Sequence, residues 1–94
     1  MGSGSQGYEC GTFTGKTNGD AVATVHWASH TTPPAGMLVT RLRVSSESDD
    51  SAVYVTPILW SLANTYAWVR FRNNLVNSWA VTYPVTFCWF AWWD

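Results

Sequence analysis

The residues best suited to chemistry lie between positions 74 and 83, where side-chain amides and a hydroxyl stand beside aromatic rings. Asn74, Asn77 and Ser78 precede Trp79 and Tyr83. A sugar presents hydroxyl groups around one apolar C–H face, so its site needs an aromatic surface beside short polar side chains. This local mixture therefore predicts a carbohydrate-binding site. Trp79 packed beneath its own loop is an equally good interpretation of the same residues.

Catalytic chemistry has little support in the sequence. His26 and His30 have no neighbour that would serve as a nucleophile, and two surface or hydrogen-bonded imidazoles are the simpler interpretation. Glu47, Asp49 and Asp50 are acidic but lack the spacing and the glycine of a calcium loop. The chain also has no CxxC pattern. We therefore expect a protein that is not an enzyme, has no cofactor and needs no metal.

Composition narrows the possible partners. The chain has 94 residues, enough for one domain, and its formal net charge is -1. Its five basic residues form no block, which argues against nucleic-acid binding. Its apolar stretches are shorter than the roughly 20 residues that a spanning helix needs, so we expect no membrane insertion. Seven tryptophans in so short a chain indicate a core, an interface or a ligand site rich in rings.

The strand predicted at residues 83–94 organises the rest of the chain. Strand side chains alternate, so one face carries Val85, Phe87, Trp89 and Trp93, and the other carries Cys88, Phe90 and Trp92. Both faces are apolar and require cover. We expect the first to pack in the protein core and the second to form an interface with other copies of the chain. Cys88, Phe90 and Trp92 are therefore the predicted interface of a homotrimer.

The two cysteines leave two alternatives open. Cys10 and Cys88 are far apart in the sequence. They could close one long loop as a disulfide, or both could be buried and free.

The remaining elements predict an all-β fold. Turn-forming residues dominate positions 7–20, which we expect to be mostly loop. Alternating apolar residues predict further strands at 21–27, 37–44, 52–62 and 66–72. Pro57 cannot donate a backbone hydrogen bond, so we expect the strand there to lie at an edge or to be bulged. No segment has helical periodicity, and about six strands joined by turns predict a small antiparallel six-stranded β-sandwich.

Three sequence features resemble the H-type lectin family. The first is Val25-His26-Trp27-Ala28-Ser29 followed by Pro33-Pro34, which resembles the family's opening pattern of an apolar residue, an aromatic residue and a Ser at alternate positions, followed by Pro-Pro. Residues 61–66, which lead into an alternating strand, resemble the family's turn after its fourth strand, and residues 88–92 resemble its closing strand. The resemblance covers residues 25 to 92, and it implies a six-stranded sandwich that assembles as a trimer with sugar bound between neighbouring protomers.

The resemblance also implies a set of site residues. The family holds an amino sugar with an Asp from the N-terminal loop, an Arg on the long strand, a Trp-His pair and a Tyr. Asp20 and Tyr83 match the Asp and the Tyr, whereas Tyr54 stands at the Arg position. Asn77-Ser78 stands at the Trp-His position, with Trp79 just beyond it. These departures leave a galactose-type or amino sugar as the expected class of ligand without fixing which sugar.

Two functions remain to be compared. The first is a carbohydrate-binding module, the C-terminal receptor- or glycan-recognition domain of a larger phage tail or secreted bacterial protein, at an extracellular or virion surface. The alternative is a structural trimerisation module that binds no sugar. Residues 1–6 have the composition of a cloning scar or a disordered start, which leaves residues 7–94 as the lectin-like domain.

Overall fold

The computed structural model describes residues 7–28 and 30–94, and its strands form two antiparallel sheets. The elements in chain order are β1 (Tyr8–Lys16), β2 (Val22–His26), β3 (Gly36–Leu42), α1 (Asp49–Tyr54), β4 (Val55–Leu62), β5 (Tyr66–Asn73), β6 (Ser78–Trp79) and β7 (Pro84–Trp92). The predicted all-β class is confirmed. Within the described ranges no helix is long and apolar enough to cross a membrane.

Sheet A consists of β1, β7 and β3, with the terminal strand β7 in the centre. Tyr8 pairs with Trp92 at one end of the β1–β7 ladder, and Lys16 pairs with Pro84 at the other. On the opposite side of β7, Gly36 pairs with Trp92. A Cβ atom on Gly36 would lie too close to the Trp92 ring, so only glycine leaves that ring its position.

Sheet B consists of β2, β5 and β4, with the short β6 paired to β5. The predicted alternation of β5 is confirmed, since Ala67, Val69 and Phe71 are fully buried. The residues between them therefore lie on the outer face of sheet B. Pro57 lies in β4, which is an edge strand of this sheet, as expected.

The core lies between the inner faces of the two sheets. Phe71 from β5 and Phe87 from β7 are both fully buried, and their ring centroids are 5.7 Å apart. Val85 and Trp93 are also buried, which confirms the predicted core face of the terminal strand. The other face of that strand is exposed at Cys88 and Phe90 in the single chain.

The prediction of loop for residues 7–20 is wrong, because residues 8–16 form β1. Glycines in a sequence often indicate turns, but two of the glycines in this stretch make room for aromatic rings. A Cβ atom on Gly11 would lie 3.1 Å from the Trp89 ring, and one on Gly15 would lie 3.2 Å from the Phe13 ring. The turn residues do form a turn, but only after Lys16.

The prediction that the chain has no helix is also wrong. Residues 49–54 form the six-residue helix α1, although the sequence pattern predicts that a long strand begins at residue 52. The Ser48 side chain caps it by accepting a hydrogen bond from the Ser51 amide, and Asp49 and Asp50 lie in its first turn. Both features stabilise a helix N-terminus. The long strand therefore begins only at Val55.

The two cysteines are free and exposed. They lie on the outer face of sheet A, where Cys10 pairs with Phe90 and Cys88 pairs with Thr12. The Cys88 thiol is 3.7 Å from the Thr12 hydroxyl oxygen. Of the two alternatives, neither holds as stated, because the thiols are neither bonded to each other nor buried.

Candidate functional site

A bulge in β4 turns one tryptophan onto the outer face of sheet B. The pairing of β4 with β5 shifts between Leu59 and Ser61, so Trp60 has no partner residue on β5. A bulge places an extra residue in one strand and redirects its side chain. Trp60 consequently lies over β5 rather than beyond the sheet edge, with its ring centroid 5.6 Å from that of Trp79 on β6.

Arg70 on β5 stacks against these two tryptophans. Its guanidinium carbon is 3.7 Å from the Trp79 ring centroid and 4.6 Å from that of Trp60. Arg72, two residues further along the same face, lies 4.9 Å from the Trp79 centroid. Cation–π contacts of this kind are worth about 0.5–1 kcal/mol at exposed sites. They hold the guanidinium plane of Arg70 in one orientation.

The turn between β1 and β2 forms the second wall of the site. The Asn18 side-chain oxygen accepts hydrogen bonds from the amides of Asp20, at 2.8 Å, and Val22, at 3.0 Å. Ala21 follows with a positive φ of 64°, which an Asn-pinned turn can maintain. The Asp20 carbonyl accepts a hydrogen bond of 2.9 Å from the Arg70 Nε. The turn and the tryptophan–arginine stack are therefore joined.

Between the turn and the stack lies an open pocket of about 360 Å³. Its lining residues are Asn18, Asp20, Val22, Thr24, Trp60, Trp68 and Arg70. Two large rings, a carboxylate, an amide, a hydroxyl and a guanidinium thus face one space. Ligand pockets have volumes of about 300–1,000 Å³, so this pocket has room for a small ligand. The rings can stack on an apolar face of a ligand, and the polar side chains can form hydrogen bonds with the ligand's polar groups.

Asp20 is the one predicted sugar-site residue that lines this pocket. Asn77, Ser78 and Trp79 are not among its lining residues. The Trp79 ring contacts both Arg70 and Trp60. Asn77 accepts two hydrogen bonds from Arg72, one through its backbone carbonyl at 3.0 Å and one through its side-chain oxygen at 2.7 Å. Ser78 is exposed and pairs with Asn73 on β5. Trp79 neither lines the pocket nor packs only under its own loop, since its ring stacks on arginines from β5.

The other predicted residues lie around α1 instead. The Asn74 amide donates to the Tyr54 carbonyl at 2.9 Å, and its side chain donates to the Thr56 hydroxyl at 3.0 Å. The Tyr83 hydroxyl donates to Glu47 at 2.6 Å, and its ring packs against the core. None of Tyr54, Asn74 and Tyr83 lines the pocket. The predicted set is therefore divided between two places.

Glu47 is the centre of a buried polar network. It also accepts a hydrogen bond from Arg41, and the side chains of this ion pair are only 8% and 3% exposed for Arg41 and Glu47. Burial alone raises the pKa of Glu47, but hydrogen bonds from Arg41, Tyr83 and a backbone amide outweigh burial and lower it. Burial and the hydrogen bond to Glu47 raise the pKa of Tyr83. Among the described residues, the Arg41 Nε is the only buried side-chain polar atom without a hydrogen-bond partner, so removal of one member of the network would leave further buried groups unpaired.

The histidines lie away from the pocket. The ring of His30 stacks on Trp93, with centroids 3.7 Å apart, and its Nε2 is 2.9 Å from a Glu9 carboxylate oxygen. His26 is exposed at the end of β2. In the described ranges, no three His, Cys, Asp or Glu side chains are grouped as metal ligands would be.

Sequence reasoning missed most of the pocket. Alternation in residues 66–72 puts Trp68 and Arg70 on the face opposite Val69 and Phe71, and an exposed ring beside an arginine is a usable signal. Trp60 gave no such signal, because its position depends on where the β4 ladder shifts. Comparisons of the chain with protein families, with curated proteins and with solved structures give no match.

Proposed function

We propose that this protein is a carbohydrate-binding module and that the pocket on sheet B is its sugar site. The observation that carries the proposal is the meeting of Trp60 and Trp68 with Asp20 and Arg70 around one open space. Tryptophan rings accept the apolar face of a sugar ring. The carboxylate, the guanidinium and the Asn18 amide then bind the hydroxyls and fix the orientation of the sugar.

The exposure of the rings supports this function. Trp60 is 50% exposed and Trp68 is 40% exposed. A tryptophan that served only the core would be buried, as Trp93 is. Arg70 is held by a backbone carbonyl and by two rings, so binding would cost this side chain little conformational freedom. Preorganised sites of this kind favour a ligand over solvent.

Assembly as a homotrimer is the second part of the proposal. The outer face of sheet A presents no charged side chain between the Tyr8–Trp92 pair and Lys16. Phe90, stacked on Tyr8, and Leu38, which is 62% exposed, lie at its centre. A second copy of the chain meets no charge to desolvate there. Six of the strands contain five or more residues, which is compatible with the six-stranded sandwich that the H-type lectin resemblance implies.

The same face supports the alternative function, a trimerisation module without a sugar site. The two functions differ in what they require of sheet B, since a purely structural module has no use for an open aromatic pocket. The pocket lies on sheet B and the proposed interface on sheet A, so the proposed sugar site lies within one protomer, whereas the resemblance implies a site between protomers. An extracellular or virion-surface location, in a phage tail or secreted bacterial protein, belongs to the same proposal because glycans are met there.

The first test is a glycan array followed by variants of the pocket. We expect Trp60→Ala to weaken binding of the best glycan by about 2 kcal/mol or more, as loss of a central aromatic contact does. Asn77→Ala removes one neutral hydrogen bond and should cost about 0.5–1.5 kcal/mol. Trp79→Ala should weaken binding more than Asn77→Ala does, because Trp79 holds Arg70 in place. Calorimetry on each purified variant measures these differences.

Val76→Ala serves as the control, since Val76 is 63% exposed and does not line the pocket. It should bind as the wild type does. Each titration is repeated with EDTA, which we expect to change nothing. Wild-type affinity in both tryptophan variants would place any sugar elsewhere, and an array without a single bound glycan would favour the structural alternative.

A further inference from the structure

We propose that the sugar bound in this pocket is anionic, and that Arg70 binds its carboxylate or sulfate group. This inference rests on the proposed carbohydrate-binding function. It goes beyond the neutral galactose-type or amino sugar that the sequence resemblance implies. Three observations carry it: the charge balance of the arginines, the free end of the Arg70 guanidinium, and the rings beside it.

The arginines of the chain divide into two kinds. Arg41 and Arg43 form ion pairs with Glu47 and Asp49. In contrast, no acidic side chain of the described residues lies within ion-pair distance of Arg70 or Arg72. Both lie on the outer face of sheet B against Trp79. The chain as a whole is slightly acidic, so this is a local excess of positive charge.

The Arg70 guanidinium is oriented but not saturated. A guanidinium has five N–H donors, and the described residues engage only the Nε–H of Arg70, which donates to the Asp20 carbonyl. The two terminal nitrogens have no partner among these residues. Their fork matches a planar carboxylate in a bidentate pair, which is stronger than a neutral hydrogen bond. Arg72 differs, since it already donates twice to Asn77.

The neighbouring residues require that the anion be part of a larger, partly apolar ligand. Trp60 and Trp68 line the same pocket as Arg70, and rings of this kind stack on a sugar face. Asp20 also lines the pocket, and its carboxylate accepts sugar hydroxyls rather than an anion. Arg70 and Arg72 together outweigh its single negative charge. An acidic sugar satisfies all these groups at once.

The test compares sugars that differ only in charge. The probes are methyl glucuronide against methyl glucoside, methyl galacturonide against methyl galactoside, and a 6-sulfated galactoside as the sulfate arm. Binding is followed by NMR titration of the tryptophan indole signals. We expect at least one acidic probe to bind the wild type roughly tenfold to a hundredfold more tightly than its neutral partner, the range for a charged hydrogen bond. The arm that binds identifies the anionic group.

Arg70→Gln should remove this preference, so that each acidic probe binds no better than its neutral partner. Arg70→Lys keeps the charge but loses the fork and should retain only part of the preference. Arg43→Gln is the matched control, because it removes the same charge from an exposed arginine paired with Asp49. It should keep the full preference. If circular dichroism shows that Arg70→Gln does not fold, the inference is tested by Arg70→Lys alone, through the expected partial loss of the preference for acidic sugars.

Neutral sugars that bind as well as acidic ones, with Trp60→Ala still weakening both, would overturn this inference and leave the carbohydrate proposal standing. A preference for acidic sugars that survives in Arg70→Lys and Arg70→Gln would also overturn it. Binding of no sugar of either kind would instead contradict the proposed function itself.

Discussion

Glu47→Ala is expected to lower the free energy of unfolding by about 3–5 kcal/mol, because it leaves the buried Arg41 guanidinium without a counter-charge. Tyr83 loses its hydroxyl acceptor in the same step. Arg41 already has one buried nitrogen without a partner, so no spare hydrogen bond compensates. Small domains have only about 5–15 kcal/mol of stability, so this single change should bring the protein close to unfolding. Chemical denaturation followed by tryptophan fluorescence measures the loss.

The control is Asp49→Ala, which breaks the surface pair with Arg43, whose atoms are 3.4 Å apart. Exposed pairs contribute about 0–1 kcal/mol, so this variant should be nearly as stable as the wild type. The double variant Glu47→Leu with Arg41→Met replaces both charges by apolar groups. It should recover much of the loss, because a buried ion pair exchanged for apolar packing is often neutral. Equal stability of Glu47→Ala and the wild type would contradict this account of the network.

The same carboxylate makes stability depend on pH. The pKa of Glu47 in the folded protein is below its ordinary value of 4.5, so the unfolded chain binds the proton more readily. The contribution of Glu47 is therefore fully present above pH 4.5 and is lost as pH falls through the lowered pKa of the folded state. Melting temperatures of the wild type should drop steeply on acidification below that point. Glu47→Gln should show a shallower drop over the same range.

Alternation in the sequence was sufficient to predict the strands whose one face is entirely buried. In β5, Ala67, Val69 and Phe71 alternate with polar or aromatic residues, and all three are inside. In β7 the same pattern placed Val85 and Phe87 in the core. A one-residue slip in such strands would expose every core side chain, so the sequence leaves one register.

β3 agrees with the strand predicted at residues 37–44, but neither β1 nor the inward face of β3 could be predicted, because both depend on contacts that are distant in sequence. A glycine suits position 11 of β1 because the Trp89 ring occupies the space that a larger side chain would fill. In β3 the apolar residues Leu38 and Leu42 are exposed, while Arg41 faces inward. Arg41 can do so only because Glu47 folds back to pair with it. Local patterns carry no information about either contact.

Most of the pocket could not be predicted for the same reason. Asp20, which lines it, was named only through the family resemblance, and Trp79, named from residue type, supports it without lining it. Trp60 depends on a shift in the β4 ladder, and Arg70 depends on the turn carbonyl that receives its Nε–H. Residues that meet only through strand pairing cannot be found from spacing along the chain.

If the protein assembles as the proposed homotrimer, Phe90→Asp is expected to convert it into monomers. Phe90 lies at the centre of the uncharged outer face of sheet A, between Cys10 on one neighbouring strand and Leu38 on the other. If copies pack there, each subunit would have to bury one carboxylate without a partner, at a cost of several kcal/mol per ion. Trp92→Ala should also weaken assembly, because truncating a well-packed tryptophan costs about 3–5 kcal/mol. Light scattering at micromolar concentration measures the mass of each variant.

Leu75→Asp is the matched control, because Leu75 is 57% exposed in the loop before β6 and not on sheet A. It should remain a trimer. The two free cysteines give an independent readout, since both are exposed in the single chain on the outer face of sheet A. Packing of copies on this face should protect Cys10 and Cys88 from a thiol reagent in the wild type, and Phe90→Asp should make both react quickly. A wild-type protein that is monomeric, with thiols that react as fast as those of Phe90→Asp, would show that this face is not an interface.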